Sequence, residues 1–271
     1  MKIVSFNVNS IRARVPLVEA LVAKHAPDIL GLQETKVRDE EFPLDWAKHL
    51  GYHVVFHGQK THYGVALLAR LPFVTTRCGF PGDSPDAQRR VVSAQFTTTA
   101  GQTLSVINAY FPQGESRDHA VKFPAKQKFY HNLLVYLRDY YRPEDLVLVM
   151  GDMNVAPLDQ DIGIGADNAR RWLQTGKCSF LPEEREWYTL LTEWGLLDTY
   201  RLLYPEQNSY FSWFDYRSRG FEADPKRGLR IDHILASSSL RSLVTAAGID
   251  YELRALPKPS DHCPVWVELT L

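Results

Sequence analysis

Long apolar runs are missing from this chain of 271 residues. The longest, such as Leu146–Met150, has five residues, whereas a helix crossing a bilayer needs about 20. A membrane partner is not expected. Cysteine is scarce as well. Cys78, Cys178 and Cys263 are odd in number and widely spaced, so they encode neither a disulfide framework nor a thiolate metal site. The N-terminal MKIVSFNVNS is interrupted by Ser5, Asn7 and Asn9 too early for a signal-peptide core. Reduced thiols and no leader predict a cytoplasmic location. Excess charge is absent too: 31 Lys and Arg against 32 Asp and Glu leave a formal net charge of −1. A nucleic-acid partner must therefore meet a local basic patch. No linker rich in Gly, Ser or Pro, no low-complexity stretch and no repeat of solenoid length divides the sequence, which predicts one domain over residues 1–271.

What is there is globular in character. Hydrophobic residues make up 45% and charged residues 23%, a balance that excludes disorder, collagen and coiled coil. Strand-like runs recur at Ile3–Val8, Ile29–Leu32, Tyr52–Phe56, Gly64–Ala69, Val91–Phe96, Thr103–Tyr110, Leu146–Met150, Phe211–Phe214, Leu229–Ala236, Leu243–Asp250 and Val265–Leu269. Helical faces lie between them. Leu17, Val18, Leu21 and Val22 share one, with Pro16 expected in its first turn. Phe129, Leu133, Leu134 and Leu137 form a second, and Glu183–Trp194 a third that stops at Gly195. The two dozen residues after Asp152 carry little strand signal and predict a long functional loop. Many strands with helices interspersed imply a layered α/β sandwich.

The apolar runs repeatedly finish on polar residues able to hold a cation. Asn7 and Asn9 end the first, Gln33–Glu34 follow the second, and Tyr110 closes another. Leu146–Met150 leads through Gly151 to Asp152 and Asn154, Asp232 falls in mid-strand, and Ser260–Asp261–His262 precedes the last run. Any one of these is ordinary turn chemistry. Together they bring Glu34, Asp152, Asp232 and Asp261 toward one end of the sheets. Two like charges 4 Å apart repel by about 4 kcal/mol at an effective dielectric near 20. Such a cluster needs a cation, and oxygen-only ligands point to Mg²⁺ or Mn²⁺.

In order, the segments SFNVN (5–9), GLQETK (31–36), GQKTHYGVALL (58–68), NAYFPQGESRDH (108–119), GDMNVAP (151–157), FLPEEREW (180–187), FSWFDYRSRGF (211–221), GLRIDHILAS (228–237) and PSDHCPVW (259–266) resemble the exonuclease III family of Mg²⁺-dependent DNA repair nucleases. The likeness runs over essentially the whole chain. It departs at Ser10 and Ala109, where the family favours Gly, and at Cys263, where Ala is usual. None of these replaces a charged or ligating residue.

The resemblance implies a four-layer sandwich, two mixed β-sheets face to face with helices outside. It implies cleavage of duplex DNA 5′ to abasic sites, 3′→5′ removal of mononucleotides and unblocking of 3′ ends, by a monomer. A metal set drawn from Asn7, Glu34, Asp152, Asn154 and Asp261 follows, read equally as a one-ion or a two-ion site. Asp152 is expected to be the general base, with Asn154 orienting the attacking water. Asp232 is expected to hold His262, which donates to the phosphate, as Tyr110 does to the phosphate or the leaving oxygen. For DNA contacts the candidates are Asn9, Arg90, Gln113, Lys122 and Arg217, with Trp213 and Phe214 packing on a deoxyribose that lacks its base. Strand alternation lets only one of those two aromatics face inward easily. Arg170, Lys177 and Arg227 are further loop cations. Relatives acting on inositol phosphates or lipids share the same catalytic positions; the QGESRDH and FSWFDYRS loops favour DNA.

Overall fold

The computed structural model describes residues 1–271. Its first half runs β1 (Lys2–Asn7), α1 (Ile11–His25), β2 (Ile29–Gln33), α2 (Leu44–His49), β3 (His53–His57), β4 (Val65–Ala69), β5 (Thr75–Cys78), β6 (Val91–Thr97), β7 (Thr103–Tyr110) and α3 (Lys122–Tyr140). Its second half runs β8 (Leu146–Asp152), α4 (Ala166–Gln174), α5 (Pro182–Trp194), β9 (Leu196–Asp198), α6 (Thr199–Leu203), β10 (Asp232–Ser237), β11 (Val244–Ile249), α7 (Tyr251–Arg254) and β12 (Val265–Leu269). The strands form two six-stranded sheets, in the orders β11-β12-β1-β2-β4-β3 and β5-β6-β7-β8-β10-β9.

Each sheet has one parallel pair at its centre, β1 with β2 and β7 with β8. A parallel pair needs a crossover, and α1 and α3 supply it. Every other pairing is antiparallel. The sheets stack on a shared apolar layer that includes Ile3, Leu67, Phe96, Val106, Leu148 and Val267. Outside one sheet, Val4, Phe6 and Leu32 pack against Leu17, Val18 and Leu21 of α1. Outside the other, Ile107, Val147 and Val149 pack against Phe129, Leu133 and Leu137 of α3 and Leu191 of α5. Strands covered on both faces read as continuous apolar runs, which is why the sequence shows them so clearly. No helix is long and apolar enough to cross a membrane.

Several expectations are corrected. Pro16 lies inside α1, which starts at Ile11, not in its first turn. Phe211–Phe214 is no strand: Trp213 makes single bridges to Leu229 and His262. β10 begins at Asp232, so this carboxylate opens the strand. The stretch after Asp152 is not structureless; it contains α4 and a tight turn at 159–161. That turn is anchored where buried Asp161 accepts from Arg230 Nε at 2.7 Å. β5 and β9 escaped notice because β5 is exposed along its length and β9 has three residues.

Candidate active site

The carboxyl ends of the central parallel strands converge, the usual place for a ligand in an open α/β sheet. Asn7 and Tyr110 end β1 and β7, Asp152 ends β8, and Glu34 follows β2. The turns that follow are laced together: Ser10 N–H donates to Glu34 O at 2.8 Å and Ile11 N–H to Thr35 O at 3.1 Å. Asn9, Glu34, Lys36 and Asn154 all have positive φ, between 44° and 57°. Non-glycine residues enter that region at a cost, and their clustering here is the strain expected where side chains must be aimed at a site.

His262 is held from both sides. Its Nδ1 donates to Asp232 Oδ2 at 2.8 Å, and its Nε2 lies 3.7 Å from Asp152 Oδ2. Asp232 and Asp152 face each other across the β10–β8 ladder. Ser212 Oγ accepts from the N–H groups of Ile231 and Asp232, both at 2.9 Å. Ser260 Oγ donates to Asn7 O at 2.7 Å and accepts from His262 N–H at 3.2 Å. Burial disfavours a charged imidazole, but Asp232 and Asp152 outweigh it and raise His262 to about 10. The ring is therefore protonated at neutral pH and is a donor, not a base. Burial pushes Asp152 up to about 7, with Asp232 and Glu34 adding to it and His262 and the Asn7 amide opposing. Asn7 Nδ2 donates to Asp152 Oδ2 at 2.9 Å, and Asn154 N–H to its Oδ1 at 3.0 Å. A carboxylate poised near neutrality beside an imidazolium suits a general base. Burial, Glu34 and Asp152 hold the Tyr110 phenol well above its usual range, so it remains a donor.

The tightest group of potential ligand atoms is Asp152, Asp232 and His262, within 4.8 Å of one another. Asp232 is committed to His262, which leaves Asp152 as the carboxylate of the three that lines the cleft. Glu34 and Asp261 line it too. Lys36 Nζ sits 3.0 Å from Glu34 Oε1 and donates to Asn9 Oδ1 at 2.6 Å. Asp261 accepts from Asn9 Nδ2 at 2.8 Å and from Trp213 Nε1 at 3.1 Å. Burial raises Asp261, but His262, Asn9 and Trp213 bring it below the ordinary carboxylate value. With the His262 imidazole held protonated, the ligand atoms left facing the cleft are oxygens, which fits a hard divalent cation.

The cleft has a volume of about 440 Å³ and takes in Asn9, Glu34, Tyr110, Gln113, Asp152, Asn154, Trp213, Arg217, Asp261 and His262. Asn7 and Asp232 lie just beneath, each one hydrogen bond from a lining residue. Two DNA-contact candidates, Phe214 and Arg90, are corrected because they are buried. Phe214 is fully buried with Phe211, Phe221 and Cys263, because the bridges of Trp213 turn the next residue inward. Arg90 is buried, its guanidinium over the rings of Tyr63 and Tyr110 and its Nη1 on Tyr110 O at 3.1 Å, so it braces Tyr110 from behind. Lys122 lies outside the cleft and pairs with Glu115 at 2.5 Å. Lys177, only one of several loop cations in the sequence, lines the cleft and stands 3.7 Å above the Trp172 ring. Lys36, Trp172, Ser179 and Asp215 also line it and were missed. Lys36 and Asp215 lie within conspicuous motifs, whereas Trp172 and Ser179 follow no local pattern.

Three segments of the cleft wall share one anchor. Lys126 Nζ donates to Gln113 O at 3.2 Å, Asn154 O at 2.9 Å and Glu184 Oε1 at 2.5 Å. Glu184 Oε2 accepts from Ser179 N–H at 2.8 Å and Leu181 N–H at 2.9 Å. Both side chains are fully buried. Removing one partner strands the other's charge. Lys126→Met should therefore cost about 3–5 kcal/mol, and replacing Glu184 as well should return part of it. Denaturant unfolding of the single and double variants checks this; equal stabilities for wild type and Lys126→Met would refute it.

Strands, helices and site of this kind define a class. The sequence profile of the endonuclease/exonuclease/phosphatase family matches residues 4–262, and the chain belongs to that family. Within it, the chain is 55% identical over 268 residues to exodeoxyribonuclease III of Haemophilus influenzae, with 99% of each chain covered. A 3′ phosphatase, NExo, from Neisseria, solved bound to a product DNA hairpin, superposes with a TM-score of 0.89 at 36% identity and full coverage of both chains. An AP endonuclease from Archaeoglobus fulgidus superposes with a TM-score of 0.90 at 33% identity, again over both full chains.

Proposed function

We infer that the protein is a DNA repair nuclease that hydrolyses phosphodiesters in duplex DNA. It cuts 5′ to abasic sites, removes mononucleotides from 3′ ends and unblocks them. The observation that carries this is the Asp232–His262–Asp152 array, facing a cleft of oxygen ligands, in a chain 55% identical over nearly its full length to an exodeoxyribonuclease III. Asp152 takes the proton of the attacking water, which Asn154 helps to aim. Protonated His262, kept in place by Asp232, offers its Nε2–H to a non-bridging phosphate oxygen, and the Tyr110 hydroxyl serves the phosphate or the departing 3′ oxygen. Glu34 and Asp261, with Asp152 and the amides of Asn7 and Asn154, would hold Mg²⁺, replaceable by Mn²⁺. When bound, that cation neutralises charge building on the phosphate and lowers the pKa of water. Gln113, Asn9, Arg217 and Lys177 meet the DNA backbone. The reading includes action as a monomer in the cytoplasm, with residues 1–271 as one domain.

A duplex with a single abasic site, incubated with Mg²⁺ and sized on a denaturing gel, should be cut immediately 5′ to the lesion. An intact strand would refute the reading. Trp213 is the residue chosen to face the lesion. A sugar without its base is slim and needs no unstacking to leave the duplex. Aromatic contacts of this kind are worth about 1–3 kcal/mol, so Trp213→Ala should lose roughly 5- to 150-fold in kcat/KM on the abasic duplex. A small phosphodiester that cannot use the pocket should lose much less. Because Trp213 Nε1 also donates to Asp261, Trp213→Phe separates the ring from the N–H. Equal losses on both substrates would mark Trp213 as a support of the fold.

A further inference from the structure

We infer that Gln33 and Asn108, which do not line the cleft, form a strut that sets the distance between its Glu34 and Asp152 walls. They are a positioning pair for the hydrolysis, and the inference rests on the nuclease reading above. The two residues stand on different sheets. Gln33 ends β2, directly before Glu34. Asn108 lies in β7, two residues before Tyr110, whose ladder partner is Asp152. Side chains two apart on a strand share a face, so Asn108 points with Tyr110 toward the opposite sheet.

Both side chains are fully buried. Gln33 Nε2 donates to Asn108 Oδ1 at 2.6 Å. Asn108 Nδ2 donates back across the gap to Leu32 O at 3.0 Å and Ala66 O at 2.9 Å. Ser5 Oγ accepts a further bond from Gln33 Nε2 at 2.9 Å, which ties β1 to the same point. Apart from this point and the Asn7–Asp152 bond at the floor of the cleft, the sheets meet through an aliphatic and aromatic layer. Apolar contact is non-directional and leaves the separation and slide of the sheets loosely set. Three hydrogen bonds in a dry layer fix both, and they sit next to the residues whose spacing the chemistry needs.

Two further details fit a strut. Gly31 leaves the space the Asn108 amide occupies: a Cβ there would lie 2.8 Å from Asn108 Oδ1 and 2.5 Å from Met150 Cε. And Gln33 Oε1 is buried without a partner. Unpaired buried acceptors are rare enough to need a reason; here the amide faces the way that lets its N–H groups reach Asn108 and Ser5.

The test replaces both polar groups by apolar ones of similar shape, Gln33→Met with Asn108→Leu. Exchanging the Gln33–Asn108 pair for matched apolar groups is itself nearly neutral, but Leu32 O, Ala66 O and Ser5 Oγ each lose a donor, so Tm should fall while the protein stays folded. Mn²⁺ affinity, measured by titration calorimetry without DNA, should weaken by about 10- to 100-fold, the usual effect of losing a group that orients ligands. The kcat on the abasic duplex should fall by a similar factor, with KM little changed. A folded double variant with wild-type Mn²⁺ affinity and kcat overturns the inference. If the double variant does not fold, Gln33→Met alone, which keeps the Asn108 donors on Leu32 and Ala66, is read in the same way, and wild-type values there overturn it equally. Wild-type protein unable to cut the abasic duplex with Mn²⁺ would defeat the nuclease reading instead.

Discussion

Asp152→Asn should give a folded protein that binds DNA and cleaves it about 10²–10⁴ times more slowly, the range for a lost general base. The amide keeps the size of the carboxylate and can keep an acceptor for Asn154 N–H, but it cannot take a proton from water. The pH dependence follows. Asp152 works only when deprotonated, so wild-type activity should rise with pH through its pKa, which is about 7 before a cation binds. A bound divalent cation favours the carboxylate and moves this limb lower. His262→Asn should lose a similar factor, as for a missing oxyanion donor. It should also move the limb the other way. The imidazolium helps keep Asp152 ionised, so without it Asp152 holds its proton to higher pH. A His262→Asn profile whose acid limb coincides with that of wild type would remove His262 from its place beside Asp152.

Withdrawal of the metal should abolish cleavage altogether, and Mg²⁺ or Mn²⁺ should restore it. Glu34, Asp152 and Asp261 face one cleft. Lys36 is paired with Glu34, and His262 is shared between Asp232 and Asp152. Lys177 and Arg217 also line the cleft, but with Asp215 at its wall and Asp232 beneath it, five carboxylates face four cations before a phosphate enters. At an effective dielectric near 20, each like-charge pair at 4 Å costs about 4 kcal/mol, and a divalent cation is the economical remedy. Glu34→Ala should therefore raise the Mg²⁺ concentration needed for half-maximal rate, with the Mg²⁺-saturated rate as the control. Undiminished cleavage in excess chelator would dismiss the metal mechanism; an unchanged Mg²⁺ titration in Glu34→Ala would strike Glu34 from the ligand set.

The layered sandwich was legible because its central strands are buried on both faces. Ile29–Leu32 and Leu146–Met150 could hardly be anything else. The polar endings of those strands were legible for the same reason, since Glu34 and Asp152 interrupt runs that burial would otherwise continue. What stayed hidden depends on tertiary direction. Trp213 and Phe214 are neighbours in a segment that reads as a strand, yet only Trp213 reaches the cleft, because isolated bridges to Leu229 and His262 decide which ring turns inward. Arg90 reads as a loop cation, and only the rings of Tyr63 and Tyr110 show it to be interior. Lys126 and Glu184 sit on separate helices and carry no sequence mark of their pairing. Trp172 lies in a helix of nine residues with no buried side chain, which gives no apolar stripe to detect.

The strand order of the first sheet has a temporal consequence. β12 is inserted between β11 and β1, so a strand made early in synthesis is flanked by one made much later. Ser260, Asp261 and His262 lie in the connection leading into β12. The second sheet, with Tyr110, Asp152 and Asp232, can be complete in a growing chain while β1 still presents a bare edge. A chain whose synthesis stops before residue 262 has no imidazolium beside Asp152, whatever else has folded. The imidazolium that the site needs therefore joins Asp152 only after every strand of the second sheet has been made.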